Sequence, residues 1–110
     1  MSFAPMPSID VTALPADGFL LDVRESDEWQ AGHAPAATHI AMSEITARHA
    51  EVPTDSRVHV ICKAGGRSAQ VTQFLIDQGV DAVNVDGGML AWQACGHPMV
   101  SENGTAAGVL

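Results

Sequence analysis

Seven consecutive residues, Cys62-Lys63-Ala64-Gly65-Gly66-Arg67-Ser68, combine a thiol, two glycines, two cations and a hydroxyl. They follow a β-branched apolar run, Val58-His59-Val60-Ile61, and precede an amphipathic stretch from Ala69 to Gln78. That order reads as strand, thiol, tight loop, helix. Glycines allow successive backbone N–H groups to converge on one point, and a helix N-terminus adds positive potential. Lys63 and Arg67 add charge, and Ser68 supplies a hydroxyl that caps the helix or donates to an anion. A free thiol ionises near pH 8.5, and surroundings of this kind bring it down to about 3.5–7.5. The expected chemistry is a thiolate nucleophile, Cys62, with anion-binding groups drawn from Lys63, Ala64, Gly65, Gly66, Arg67 and Ser68.

A second group lies at the end of another apolar run. Asp22 and Arg24 close the segment Phe19-Leu20-Leu21-Asp22-Val23-Arg24. Two readings are open for them, a pocket rim or an ion pair that orients a loop. His33 reads as a residue that fixes a turn through a hydrogen bond. Trp29 and Trp92 read as core or rim aromatics. The five histidines show no metal-ligand spacing, and no metal or organic cofactor is expected. Cys95 falls at the end of a predicted helix, where the dipole disfavours a thiolate. The two cysteines form neither a CxxC redox pair nor a zinc cluster.

Three separated segments resemble the signatures of rhodanese-like sulfurtransferases. One is the Cys62–Ser68 loop, which follows the pattern Cys-x-x-Gly-x-Arg and then Ser or Thr. The second is Leu20-Leu21-Asp22-Val23-Arg24-Glu25 with Glu28-Trp29 and Gly32-His33-Ala34-Pro35. The third is Asp86-Gly87-Gly88 with Ala91-Trp92, Gly96 and Pro98. Departures are Ala34, Ala36 and Ala41, where the family usually has a bulky aliphatic, a small residue such as Gly, and Pro. They bear on local packing. The resemblance implies a small α/β fold around a parallel sheet, and a persulfide carried on Cys62. It implies a small anionic sulfur donor such as thiosulfate and a thiophilic acceptor: cyanide, a thiol or a sulfur-relay protein. Two alternatives are a thiolate-based phosphatase or arsenate reductase, and a non-enzymatic sulfur-carrier or binding module. Loop length bears on the first. Four residues separate Cys62 from Arg67, whereas the family comparison implies five in thiol-based phosphatases, whose phosphate oxygens need a wider ring of amides.

The elements that hold these groups follow from the rest of the pattern. With 110 residues and 46 % hydrophobic composition, the chain has room for one domain. Residues 1–7 read as a lead-in, 8–100 as the domain and 101–110 as a flexible tail. Expected strands are Ser8 to Val11, Phe19 to Val23, Thr38 to Ala41, Val58 to Ile61 and Ala82 to Val85. Helices are expected from Ser26, as N-cap, to near Gly32, over Glu44 to Ala50 capped by Ser43, from the Cys62 loop to Gly79, and from Met89 to Cys95 before Gly96. Strands alternating with helices predict a mostly parallel sheet of about five strands with helices on both faces. Ligands in such sheets sit beyond the carboxyl ends of the strands, where Cys62 falls. A net charge of −8 argues against nucleic acid or an anionic membrane as partner. No apolar stretch approaches a membrane span and no secretory signal is visible, so a cytoplasmic setting is expected.

Overall fold

The computed structural model describes residues 6–110; most of the expected lead-in, residues 1–5, lies outside them. Five strands form one sheet: β1 (Ser8–Asp10), β2 (Phe19–Asp22), β3 (Thr38–His39), β4 (Val58–Ile61) and β5 (Ala82–Asp86). Their spatial order is β1-β5-β4-β2-β3, and every pairing is parallel. The helices are α1 (Ser26–Ala31), α2 (Ile45–Arg48), α3 (Gly66–Asp77) and α4 (Gly88–Ala94). No helix among the described residues is long and apolar enough to cross a membrane.

The central strands carry apolar side chains on both faces, as a doubly covered parallel sheet requires. Val58, Val60 and Cys62 point with Leu21 and Val23 into one cluster, filled by Ile45 of α2 and by Val71 and Leu75 of α3. Ile61 and Val85 point the other way, toward Val11 and Met89 of α4. Cys62 is therefore packed by the same period-2 alternation that builds the core. It is 1 % exposed.

Several boundaries depart from expectation. Val11 leaves the first strand for a 3-10 turn (Val11–Ala13), because Asp10 accepts from Thr12 N–H at 2.9 Å and its hydroxyl at 2.7 Å. Ser26 is the first residue of α1 rather than its cap. Glu25 takes the flanking position, and its N–H donates to Glu28 Oε1 at 3.0 Å. Ser43 does not cap a helix over Glu44 to Ala50. It lies inside a 3-10 turn (Met42–Glu44) closed by Glu44 N–H donating to Ala41 C=O at 2.8 Å. Only α2 is α-helical there, and a second 3-10 turn (His49–Glu51) follows it. The third strand stops at His39. Helix α3 begins at Gly66, ahead of the amphipathic stretch, so Arg67 and Ser68 sit in its first turn. It ends as expected before Gly79, at φ 87°.

The last ten residues carry no sequence pattern, yet they lie along α1. Glu102 N–H donates to Gln30 C=O at 2.9 Å, and Gly108 N–H to Ala31 C=O at 3.0 Å. His33 and Val100 exchange backbone hydrogen bonds, both at 2.9 Å.

Candidate active site

Leaving β4, the chain passes Cys62 and turns at Gly65, where φ is 116°. That value lies outside the range open to residues with a side chain. The turn brings Gly65 N–H to 3.1 Å from Cys62 Sγ, and Ser68 Oγ lies 3.2 Å from the same sulfur. The N–H groups of Ala64 and Ser68 also favour its negative charge. Burial pushes the Cys62 thiol up, and these hydrogen bonds outweigh it, so the thiol lies below its ordinary value.

Helix α4 holds the loop from behind. Met89 N–H donates to Cys62 C=O at 2.8 Å and Leu90 N–H to Lys63 C=O at 3.1 Å. Within a planar peptide a carbonyl and the next N–H point opposite ways. Anchoring these carbonyls on α4 therefore turns the following amides away from it. The approach is close enough that a Cβ on Gly88, at φ 56°, would overlap the Cys62 and Lys63 carbonyls. This accounts for Gly87-Gly88 as a motif far in sequence from the thiol.

Arg67 feels the charge of Cys62, but its hydrogen bonds go elsewhere. Its guanidinium makes a two-pronged ion pair with Glu28 of α1, at 2.6 and 2.9 Å. Glu28 is held down at about 2, first by that hydrogen bond. Lys63 makes no ion pair among the described residues, so it is the loop cation left uncommitted. Gly66 opens α3 with empty space around it, and Ala64 contributes its amide.

Asp22 and Arg24 form a buried pair, both at 0 % exposure, joined at 2.7 Å. Arg24 also donates to Gly32 C=O at 2.8 Å and Glu28 C=O at 3.3 Å. Their hydrogen bonds thus run to α1, which carries Glu28, rather than to the Cys62 loop. His33 stacks on Trp29 at 3.5 Å between ring centroids, with Nδ1 facing Ala34 C=O and Nε2 facing Glu102, at 2.8 and 2.7 Å. His59 is buried and meets Phe19 C=O at 3.0 Å. Trp92 Nε1–H donates to Pro98 C=O at 3.0 Å. Cys95 is exposed, its thiol donating to Trp92 C=O at 3.3 Å; neither cysteine is in a disulfide. An apolar cavity of about 350 Å³ lies elsewhere, under Leu14 to Gly18, with Ala34, Ala36, His59 and Trp92 in its wall. None of the Cys62 loop borders it.

Two residues that sequence reasoning left without a role at the site belong to its framework. Glu28 enters the sequence pattern only as a signature residue. Asn84 appeared only as part of a strand. Its side chain accepts from Ser68 O–H at 2.6 Å and donates to Gly65 C=O at 3.3 Å. The signal was present: an amide inside the apolar run Ala82-Val83-Asn84-Val85 must find partners when buried.

This arrangement of parallel sheet and thiol loop agrees with the comparisons to known proteins. The Rhodanese-like domain model matches residues 10–95. A Bacillus subtilis protein, YtwF, provisionally named a sulfurtransferase, is 41 % identical over 75 residues, spanning 68 % of this chain and 73 % of that protein. A sulfurtransferase from Allochromatium vinosum is 37 % identical over 89 residues, 80 % of this chain and 83 % of that one. The crystal structure of a rhodanese-related protein from Thermoplasma volcanium superposes with a TM-score of 0.81 at 33 % identity, over 86 % of this chain and 97 % of that chain. The chain belongs to the rhodanese-like domain family.

Proposed function

We propose that this chain is a rhodanese-type sulfurtransferase that moves a sulfane sulfur from thiosulfate to a thiophilic acceptor through a persulfide on Cys62. The observation that carries this reading is the donor set around one buried sulfur: the Gly65 amide at 3.1 Å and the Ser68 hydroxyl at 3.2 Å. Donors already in place around the sulfur stabilise a thiolate and, after transfer, the charge of a persulfide.

The Cys62 thiolate attacks the outer sulfur of thiosulfate. A new S–S bond forms, the S–S bond of the donor breaks, and sulfite leaves with its electron pair. The acceptor, cyanide or a thiolate, then attacks the terminal sulfur and returns Cys62 as a thiolate. With Arg67 engaged by Glu28, Lys63 is the residue that attracts the anionic donor, and Arg67 holds the loop against α1. This division of labour also argues against phosphate chemistry. A phosphate bound over the sulfur would call on the arginine directly, and the loop has only four residues before it.

Intact-mass spectrometry tests the reading. Thiosulfate should add one sulfur to the protein, and cyanide should remove it as thiocyanate. Cys62→Ser should fold and accept none. Release of phosphate from an aryl phosphate that depends on Cys62, with no thiocyanate formed, would overturn the assignment.

A further inference from the structure

Ser68 has one hydroxyl hydrogen, and two acceptors stand beside it. Asn84 Oδ1 is 2.6 Å away and Cys62 Sγ 3.2 Å. Asn84 cannot trade its oxygen for its nitrogen freely. Nδ2 donates to Gly65 C=O, and a flipped amide would set two oxygens against each other. The 2.6 Å contact therefore uses the Ser68 hydrogen, and the sulfur meets a lone pair of Oγ. That arrangement suits a thiol, which brings a hydrogen of its own. It does not suit a thiolate, which needs donors. Ser68 is 0 % and Asn84 5 % exposed, so water is a poor substitute for either partner.

We propose that Asn84 is a positioning residue that governs the ionisation of Cys62, by holding the Ser68 hydroxyl hydrogen while the thiol is neutral and yielding it to the sulfur when the thiolate forms. The thiol proton leaves to a base in solution, and the Ser68 O–H rotates from Oδ1 to Sγ. The backbone N–H groups of Gly65, Ala64 and Ser68 act on the sulfur separately from this exchange. Charged groups on the surrounding elements are Arg67 on α3, its partner Glu28 on α1, Lys63 in the loop, the Asp22–Arg24 pair at the end of β2, and Asp86 closing β5. They are common to every variant below. The relevance to turnover rests on Cys62 being the sulfur carrier.

The rate of Cys62 alkylation by iodoacetamide, followed against pH and located by peptide mass spectrometry, reads the ionisation itself. Asn84→Ala frees the Ser68 hydrogen and should lower the midpoint by about one pH unit, the scale of one hydrogen bond to a charged group. Ser68→Ala should raise it. In the Ser68→Ala background, Asn84→Ala should have no further effect. An equal shift with and without Ser68, or an upward shift from Asn84→Ala alone, would overturn the proposal. Asn84→Leu, of nearly the same shape, repeats the test if the alanine variant unfolds. In the unmodified protein, the Asn84 side-chain amide resonances should move with the Cys62 midpoint, and the movement should vanish in Ser68→Ala; static resonances would also count against the idea. Alkylation needs no sulfur donor. A protein that forms no persulfide yet shows the Ser68-dependent shift would sink only the proposed function.

Discussion

Gly65 turns at φ 116°, while its neighbour Gly66 starts α3 with nothing near the place of a Cβ. Gly65→Ala should therefore cost about 1–2 kcal/mol and slow sulfur transfer, since the strained turn aims an amide at the sulfur. Gly66→Ala should be neutral or stabilise by up to about 1 kcal/mol. Urea unfolding and single-turnover persulfide formation check both; equal losses would remove the argument. Cys62 itself predicts a pH dependence. Its donors lower the thiol in the folded chain, so nucleophilic reactivity should persist below the pH at which a free thiol loses it, and fall as pH drops through the folded midpoint. Stability follows the same sign: the depressed thiol contributes above its unfolded value and loses that contribution as pH falls through the folded one. The residue pattern made the thiol, the turn glycine and the loop hydroxyl legible, because each type has a narrow physical use. The direction of Arg67 was not legible. A guanidinium on a helix reaches either inward or sideways, and only the placement of α1 supplies Glu28.

Helix α1 reaches α3 through Glu28 and Arg67, with the glutamate 13 % and the arginine 33 % exposed. The Arg67 hydrogen bond, the largest cause, takes Glu28 from its ordinary 4.5 to about 2. A depressed carboxyl contributes stability above its unfolded value and loses it as pH falls, here between about 4.5 and about 2. Screening by solvent leaves about 1 kcal/mol for such a pair. Glu28→Gln should lower stability at pH 7 by about that amount and flatten the acid limb of the curve. It should also loosen Arg67 and change the KM for thiosulfate more than kcat. An unchanged acid limb would show that the pair does not hold the helix. At the Gly88 contact, Ala would meet the Cys62 and Lys63 carbonyls. Gly88→Ala should destabilise by about 2–3 kcal/mol and lose transfer activity, measured as above. The strands and α3 were readable from apolar period and glycine punctuation. The N-caps of α1 and α2 were not, because Glu25 and Glu28 satisfy the start of α1 where Ser26 is the commoner choice, and Ser43 is drawn into a 3-10 turn.

Across the whole molecule, the C-terminal residues look expendable by composition and are bonded in place by structure. Glu102 meets His33, which stacks on Trp29, and Val109 joins the second core cluster. Removing residues 101–110 should lower stability by about 2–4 kcal/mol, from lost hydrogen bonds and apolar burial. Thermal unfolding of the shortened chain would show it, and an unchanged midpoint would mark the segment as unattached. Nothing in Ser101–Leu110 announces this. Many of its partners are backbone groups near the end of α1, which no side-chain pattern records. The sheet order has a consequence in time. The strand synthesised first, β1, pairs only with β5, through Ser8↔Asn84, Ile9↔Val85 and Asp10↔Asp86. On a ribosome it must wait, unpaired, until nearly the whole domain has emerged. Because long-range closure comes late, β2, β4 and β5 can assemble before it. Once made, this three-residue edge opens more readily than the central pairing of β4 with β2. Native-state hydrogen exchange should therefore find the β1–β5 amides exchanging well before those between β4 and β2.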